Sequence, residues 1–131
     1  MRTVIRCTLA VLLVATPAWA QEDLEKLAKV PPRVRATIQT DFMAKKLQLS
    51  PQEKTQVDAI NLKYADQMQP VLAGSMGPLA RMGEVKRLEE AKDGELRGVL
   101  NPSQFQAYTA AKAEMRQHLE QKATEKMGGT P

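Results

Sequence analysis

The sequence predicts an all-α protein, and three observations carry that expectation. Two stretches, Leu49-Ser50-Pro51-Gln52-Glu53 and Leu100-Asn101-Pro102-Ser103-Gln104, read as the same helix-start device, placed 51 positions apart. Around them apolar residues recur at steps of three and four, and no run of useful length alternates apolar with polar as a half-buried strand does. Aromatic side chains are scarce. Beyond Trp19 only Phe42, Tyr64, Phe105 and Tyr108 occur, so the core must be built from Leu, Ile, Val, Met and Ala, which suits helices in a thin layer.

The first 20 residues stand apart from the fold. Arg2 and Arg6 form a basic start, Leu9 to Ala15 an apolar run, and Ala18-Trp19-Ala20 fits the small-x-small cleavage rule. We read an export leader cut after Ala20, which places the protein in the periplasm. The apolar run is shorter than the ~20 residues a membrane span needs, so no stable insertion is expected after cleavage. Cys7 and Trp19 leave with the leader, and no disulfide can form afterwards. A small exported domain of this kind must stabilise itself by packing or assembly. Loss of Arg2 and Arg6 takes Lys plus Arg from 19 to 17 against 15 acids, and the formal charge from +4 to +2. That balance gives no footprint for a nucleic-acid partner.

The remaining chain reads as one helical domain over residues 32–126. Residues 21–31 precede it as a mobile arm, because Pro31-Pro32 interrupts any helix continuing from Leu24-Glu25-Lys26-Leu27. The first helix carries Val34, Ile38, Phe42 and Leu47 as a loose stripe, with Met43 beside it. The second, from Pro51 to Leu72, carries Val57, Ile60, Tyr64, Met68 and Val71 on one face, and Pro70 should end it early or bend it near Asp66. Gly74-Ser75-Met76-Gly77-Pro78 is the turn, with both glycines free to take left-handed angles. The third helix, Pro78 to about Val99, carries Leu79, Met82, Val85, Leu88, Leu96 and Val99. Its mixed charges, Lys92 and Asp93 among them, read as a solvated face, and Gly83 and Gly94 make it the softest element. The fourth runs from Asn101 through Phe105, Tyr108, Ala111, Met115 and Leu119 to about Lys126, and residues 127–131 are expected to be disordered.

Both starts have a mechanism. Ser50 and Asn101 can accept from the free N–H groups of a first helical turn, and Pro51 and Pro102 have no N–H to waste there. Glu53 and Gln104 can reach back to the capping residue's own N–H and complete a capping box. Leu100 can also staple onto Phe105, whereas the matching position at the first start is Lys54, so the second start is the stronger.

The doubled Leu-x-Pro-x-Glu/Gln pattern in a small exported helical chain resembles the periplasmic Spy/CpxP family, marked by a doubled Leu-Thr-x-x-Gln motif. The resemblance covers roughly Pro32 to Lys122 and is carried by Leu49, Glu53, Leu100 and Gln104. Ser50 and Asn101 stand where that motif has threonine, and Glu53 where it has glutamine; all three preserve capping. The resemblance implies four helices in an elongated hairpin, an antiparallel homodimer, and an ATP-independent chaperone or envelope-stress adaptor. A thin helical layer has two faces and few residues to cover them, which by itself also favours a second copy.

Catalytic residues are not expected. His118 is the only histidine and reads as a solvated helix residue, and with Cys7 gone neither a Cys/His nucleophile nor a zinc cluster can be built within one chain. No cofactor or metal is expected. The six methionines left after cleavage read as core or adaptable surface rather than Cu(I) ligands. Charge is concentrated near the first helix. Arg33, Arg35, Lys45 and Lys46, beside Phe42 and Met43, are the candidate client-binding residues, drawing unfolded or partly folded proteins toward an apolar surface. The alternatives are an inhibitory accessory protein of a membrane sensor and a metal-responsive periplasmic binding protein.

Overall fold

Proline opens each long helix of the computed structural model, whose described residues are 24–128. The expected leader and the last three tail positions lie outside them. In order the helices are α1 (residues 24–28), α2 (Pro32–Leu47), α3 (Pro51–Ala73), α4 (Pro78–Arg97) and α5 (Pro102–Met127). The fold is all-α, with no strand among the described residues.

Helix α2 is the centre. It packs antiparallel on α3, where Asp41 meets Lys54 and Arg35 meets Ala65, and antiparallel on α5, where Lys46 meets Glu114. Helix α4 runs back along α3, joined through Glu95 to Lys63 and Tyr64. Few residues of α4 touch α5, and there Asp93 accepts from the Tyr108 hydroxyl at 2.9 Å and from Lys112. Burial, followed by Asp93 and Glu89, pushes the Tyr108 phenol far above its ordinary value. The core follows this layout, with Leu47, Val57, Leu88, Leu96, Leu100 and Tyr108 meeting between the helices.

Three local expectations need correction. Pro70 does not end α3, which runs on to Ala73; Pro70 and Asp66 are exposed, so water can take the carbonyl that the missing N–H leaves free. Neither turn glycine is left-handed, with φ of −78° at Gly74 and −60° at Gly77. Gly74 is needed for another reason, because a Cβ there would stand 2.5 Å from the Pro70 carbonyl oxygen. The left-handed residue is Gln48, φ 52°, which closes α2 by donating its N–H to the Ala44 carbonyl. Helix α4 stops at Arg97, and Gly98 and Val99 turn the chain with bonds to Glu95 and Leu96.

The expected arm is pinned over its described part. Val30 is buried, and Arg35 Nη1 donates to the carbonyls of Leu27 at 2.8 Å and Val30 at 3.0 Å. The same nitrogen reaches Gln69 Oε1 at 2.8 Å, and Gln69 Nε2 donates to the Ala28 carbonyl at 2.9 Å. Residues 27–30 are thereby fastened against α3 near Ala65 and Gln69.

Candidate functional site

The two helix starts are built as their residues require. Glu53 N–H donates to Ser50 Oγ at 3.1 Å and Ser50 N–H to Glu53 Oε1 at 3.0 Å. Gln104 N–H donates to Asn101 Oδ1 at 2.8 Å and Asn101 N–H to Gln104 Oε1 at 3.0 Å. The starts also meet in space. Gln104 Nε2 reaches the Leu47 carbonyl at 3.5 Å, and its side chain lies near enough to the Glu53 carboxylate to help lower its pKa. Glu53 is held below the ordinary carboxylate range first by the Ser50 backbone N–H, then by the Ser50 hydroxyl, then by Gln104. Leu49, Pro51, Leu100 and Pro102 complete the pair around the C-terminal end of α2, with Leu100 buried and Leu49 packed on the core. This is an architectural site: it aims α3 and α5 along opposite sides of α2.

The basic cluster near α2 is not gathered into a surface. Arg35 is 4 % exposed and spends its donors on Leu27, Val30, Ala65 and Gln69, while Met43 is a core residue accepting a long contact from Asn61. Both lie inside because α2 has neighbours on two sides and so buries more than one stripe. Arg33 pairs with Asp58 at 2.9 Å and Lys46 with Glu114 at 2.8 Å. Lys45 alone of the four is exposed without an ion pair among the described residues. Phe42 lies half-buried with its ring 5.4 Å from His118, in a crevice with Tyr108 and Met115 that has no room for a water molecule. Lys92, read as solvated, is 4 % exposed and donates to Gln39 Oε1 at 3.2 Å. Burial lowers its pKa, against the pull of Glu89 and Asp93.

What the fold leaves uncovered lies at the other end. Among the described residues the exposed large apolar side chains are Leu79 (87 %), Met82 (56 %), Met127 (53 %) and Met76 (40 %). Three of them surround the α3–α4 turn. Leu79 and Met82 were read on the apolar stripe of this helix with Leu88 and Leu96, but Leu88, Lys92 and Leu96 define the buried stripe of α4. At 3.6 residues per turn Leu79 lies about 180° from Leu88 around the axis and Met82 about 120°. The period itself therefore held the signal that apolar character alone hid.

Beside this tip is a groove of about 780 Å³ between residues 26–30 and the last two turns of α5. Leu27, Val30 and Ala123 form its floor, Met127 its edge, and Lys29 and Glu120 opposite rims. The groove and the tip share one end of the molecule. Residues 27–30 are bonded to α3 at Ala65 and Gln69, and the tip begins at Gly74, roughly 8 Å further along the axis at ~1.5 Å per residue. No local pattern marks the groove, since Val30 and Ala123 are small apolar residues outside any motif.

Flexible thioethers and a single leucine at one end of the helices can accommodate apolar surface of varied shape. Among the described residues no three His, Cys, Asp or Glu side chains gather as a metal site would need, and no helix is long and apolar enough to cross a membrane. No curated protein and no solved structure matches the chain. Residues 20–108, from the end of the expected leader through the second capped start, match the family described as Domain of unknown function (DUF4890), and the chain belongs to that family.

Proposed function

We propose that this chain is an exported, ATP-independent holding chaperone or envelope-stress adaptor of the Spy/CpxP kind, which grips unfolded or partly folded proteins without transforming them. The observation that carries the reading is the collection of Met76, Leu79, Met82 and Met127 at one end of an otherwise well-covered helical chain. An exposed apolar cluster costs solubility and is a mark of an interaction surface. Methionine tolerates partners of different shape, as a holder of many clients needs. The paired capping boxes support the kinship, because the doubled motif then has one architectural use: two helices start side by side on α2.

The leader read over residues 1–20 places this work in the periplasm, where no nucleotide drives release and binding must be weak and reversible. The experiment is light scattering of an unrelated unfolding protein, without nucleotide, at several-fold molar excess of the exported chain. Scattering should fall; unchanged scattering overturns the proposal. Mass measurement of the chain recovered from the periplasm should give an N-terminus at Gln21, and recovery from the cytoplasm at full length would remove the export reading.

A further inference from the structure

The described residues hold six methionines and neither cysteine nor tryptophan, so their thioethers are the foremost target of a two-electron oxidant. The fold divides the six evenly. Met43 and Met115 are buried and Met68 packs against the core, whereas Met76, Met82 and Met127 are exposed. The division is also one of place. Met76 and Met82 flank Leu79, with Met82 three positions on along the same face of α4, and Met127 edges the groove at that end of the molecule. Arg81 Nη2 donates to the carbonyls of Gly74 at 2.8 Å and Met76 at 3.4 Å, which ties the backbone of the turn without covering the Met76 side chain. Three oxidisable sulfurs thus stand on the apolar end, and three are held inside.

We propose that Met76, Met82 and Met127 form an oxidant-sensitive modification site, at which a peroxide turns the apolar end of the chain polar while the core keeps its thioethers. Each sulfur attacks one oxygen of hydrogen peroxide. The O–O bond breaks, an S–O bond forms, the sulfur gives up two electrons and water leaves. The return needs a dithiol, which supplies two electrons and two protons, releases the oxygen as water and ends as a disulfide. A sulfoxide is a polar acceptor, so apolar surface laid against it leaves that acceptor unpaired. Resting on the holding function proposed above, oxidation releases clients and reduction restores the grip.

The site is tested first without any client. The exported chain is treated with graded hydrogen peroxide and mapped by peptide mass spectrometry. Met76, Met82 and Met127 should each gain one oxygen at doses that leave Met43 and Met115 unchanged, and the chain should then leave a hydrophobic-interaction column earlier. Oxidation of Met43 or Met115 first, even oxidation of all six, or unchanged retention overturns the proposal. Methionine sulfoxide reductase with dithiothreitol should restore the original retention. A chain carrying Met76→Leu, Met82→Leu and Met127→Leu should keep its own retention through the same treatment; a shift as large as that of the wild type overturns the assignment. Affinity for a permanently unfolded protein should fall about tenfold when the wild type is oxidised, and stay within twofold of its own untreated value in the triple-leucine chain. Equal affinity of the wild type before and after oxidation overturns the release of clients. Should the untreated wild type bind no unfolded protein while mapping and retention behave as stated, the holding function fails and the modification site stands.

Discussion

Arg35 and Gln69 hold each other across α2 and α3, with Nη1 donating to Oε1 at 2.8 Å, and together they fix the chain's entry into the fold. The guanidinium also reaches the carbonyls of Leu27, Val30 and Ala65, and Gln69 reaches that of Ala28. Burial lowers the Arg35 pKa, opposed by Asp66, yet arginine keeps its proton at any working pH. A buried cation surrounded by carbonyl oxygens is a structural clamp, and it fastens the segment whose Leu27, Lys29 and Val30 line one wall of the groove.

Arg35→Met should cost roughly 3 kcal/mol in urea denaturation, since it strands several buried acceptors at once. Hydrogen exchange should rise most at residues 27–30. A loss below about 1 kcal/mol, or exchange unchanged there, would mean the clamp does not hold this segment.

Ser50→Ala and Asn101→Ala should each lower stability by about 1 kcal/mol. Combined, they should fall short of the sum by about 0.5 kcal/mol, because the Glu53–Gln104 contact is lost only once. Strict additivity in urea midpoints would show that the two starts do not lean on each other.

These caps were also the most legible part of the chain. A cap is a local device, written in four consecutive residues, and both were read with their bonding partners. The helices between them followed from period and proline for the same reason. What sequence did not disclose depended on neighbours. Arg35 and Met43 look like surface and stripe until α2 is known to be covered on two sides, whereas the place of Leu79, opposite Leu88 around α4, was already held in the period. The groove joins residues nearly a hundred positions apart, and no local pattern records that.

Lys92→Met should raise stability by about 1–2 kcal/mol at neutral pH, because it keeps the packed stem and removes a charge held out of water by burial. The sign with pH follows. Lys92 loses its proton in the folded chain at lower pH than in the unfolded chain, where the ordinary value is 10.5. Stability of the wild type therefore rises with pH across the window below that value, and the advantage of the variant should shrink there. A variant less stable than wild type at neutral pH would show that the Gln39 bond and the nearby Glu89 and Asp93 outweigh the burial.

Acid should weaken the fold through four carboxylates held below 4.5: Glu53 by Ser50, Glu84 by Arg87, Glu95 by Lys63 and then Tyr64, and Glu125 by Lys122. The unfolded chain takes up these protons first as pH falls, so the stabilisation is complete above the ordinary value and disappears below it. The urea midpoint should be level from pH ~7 to ~5 and fall below ~4.5, and Glu95→Gln should make the fall shallower. A midpoint level down to pH ~3 would contradict the pairing.

The most direct measurement of the central claim is the affinity of a fluorescently labelled, permanently unfolded protein for three chains, read by anisotropy: the wild type, Leu79→Asp with Met82→Asp, and Lys45→Glu with Lys46→Glu. The account predicts micromolar-range, reversible binding by the wild type, weakening of about tenfold or more in the first variant, and little change in the second. Equal binding by the wild type and the Leu79/Met82 variant, or loss only when the lysines are reversed, would contradict it.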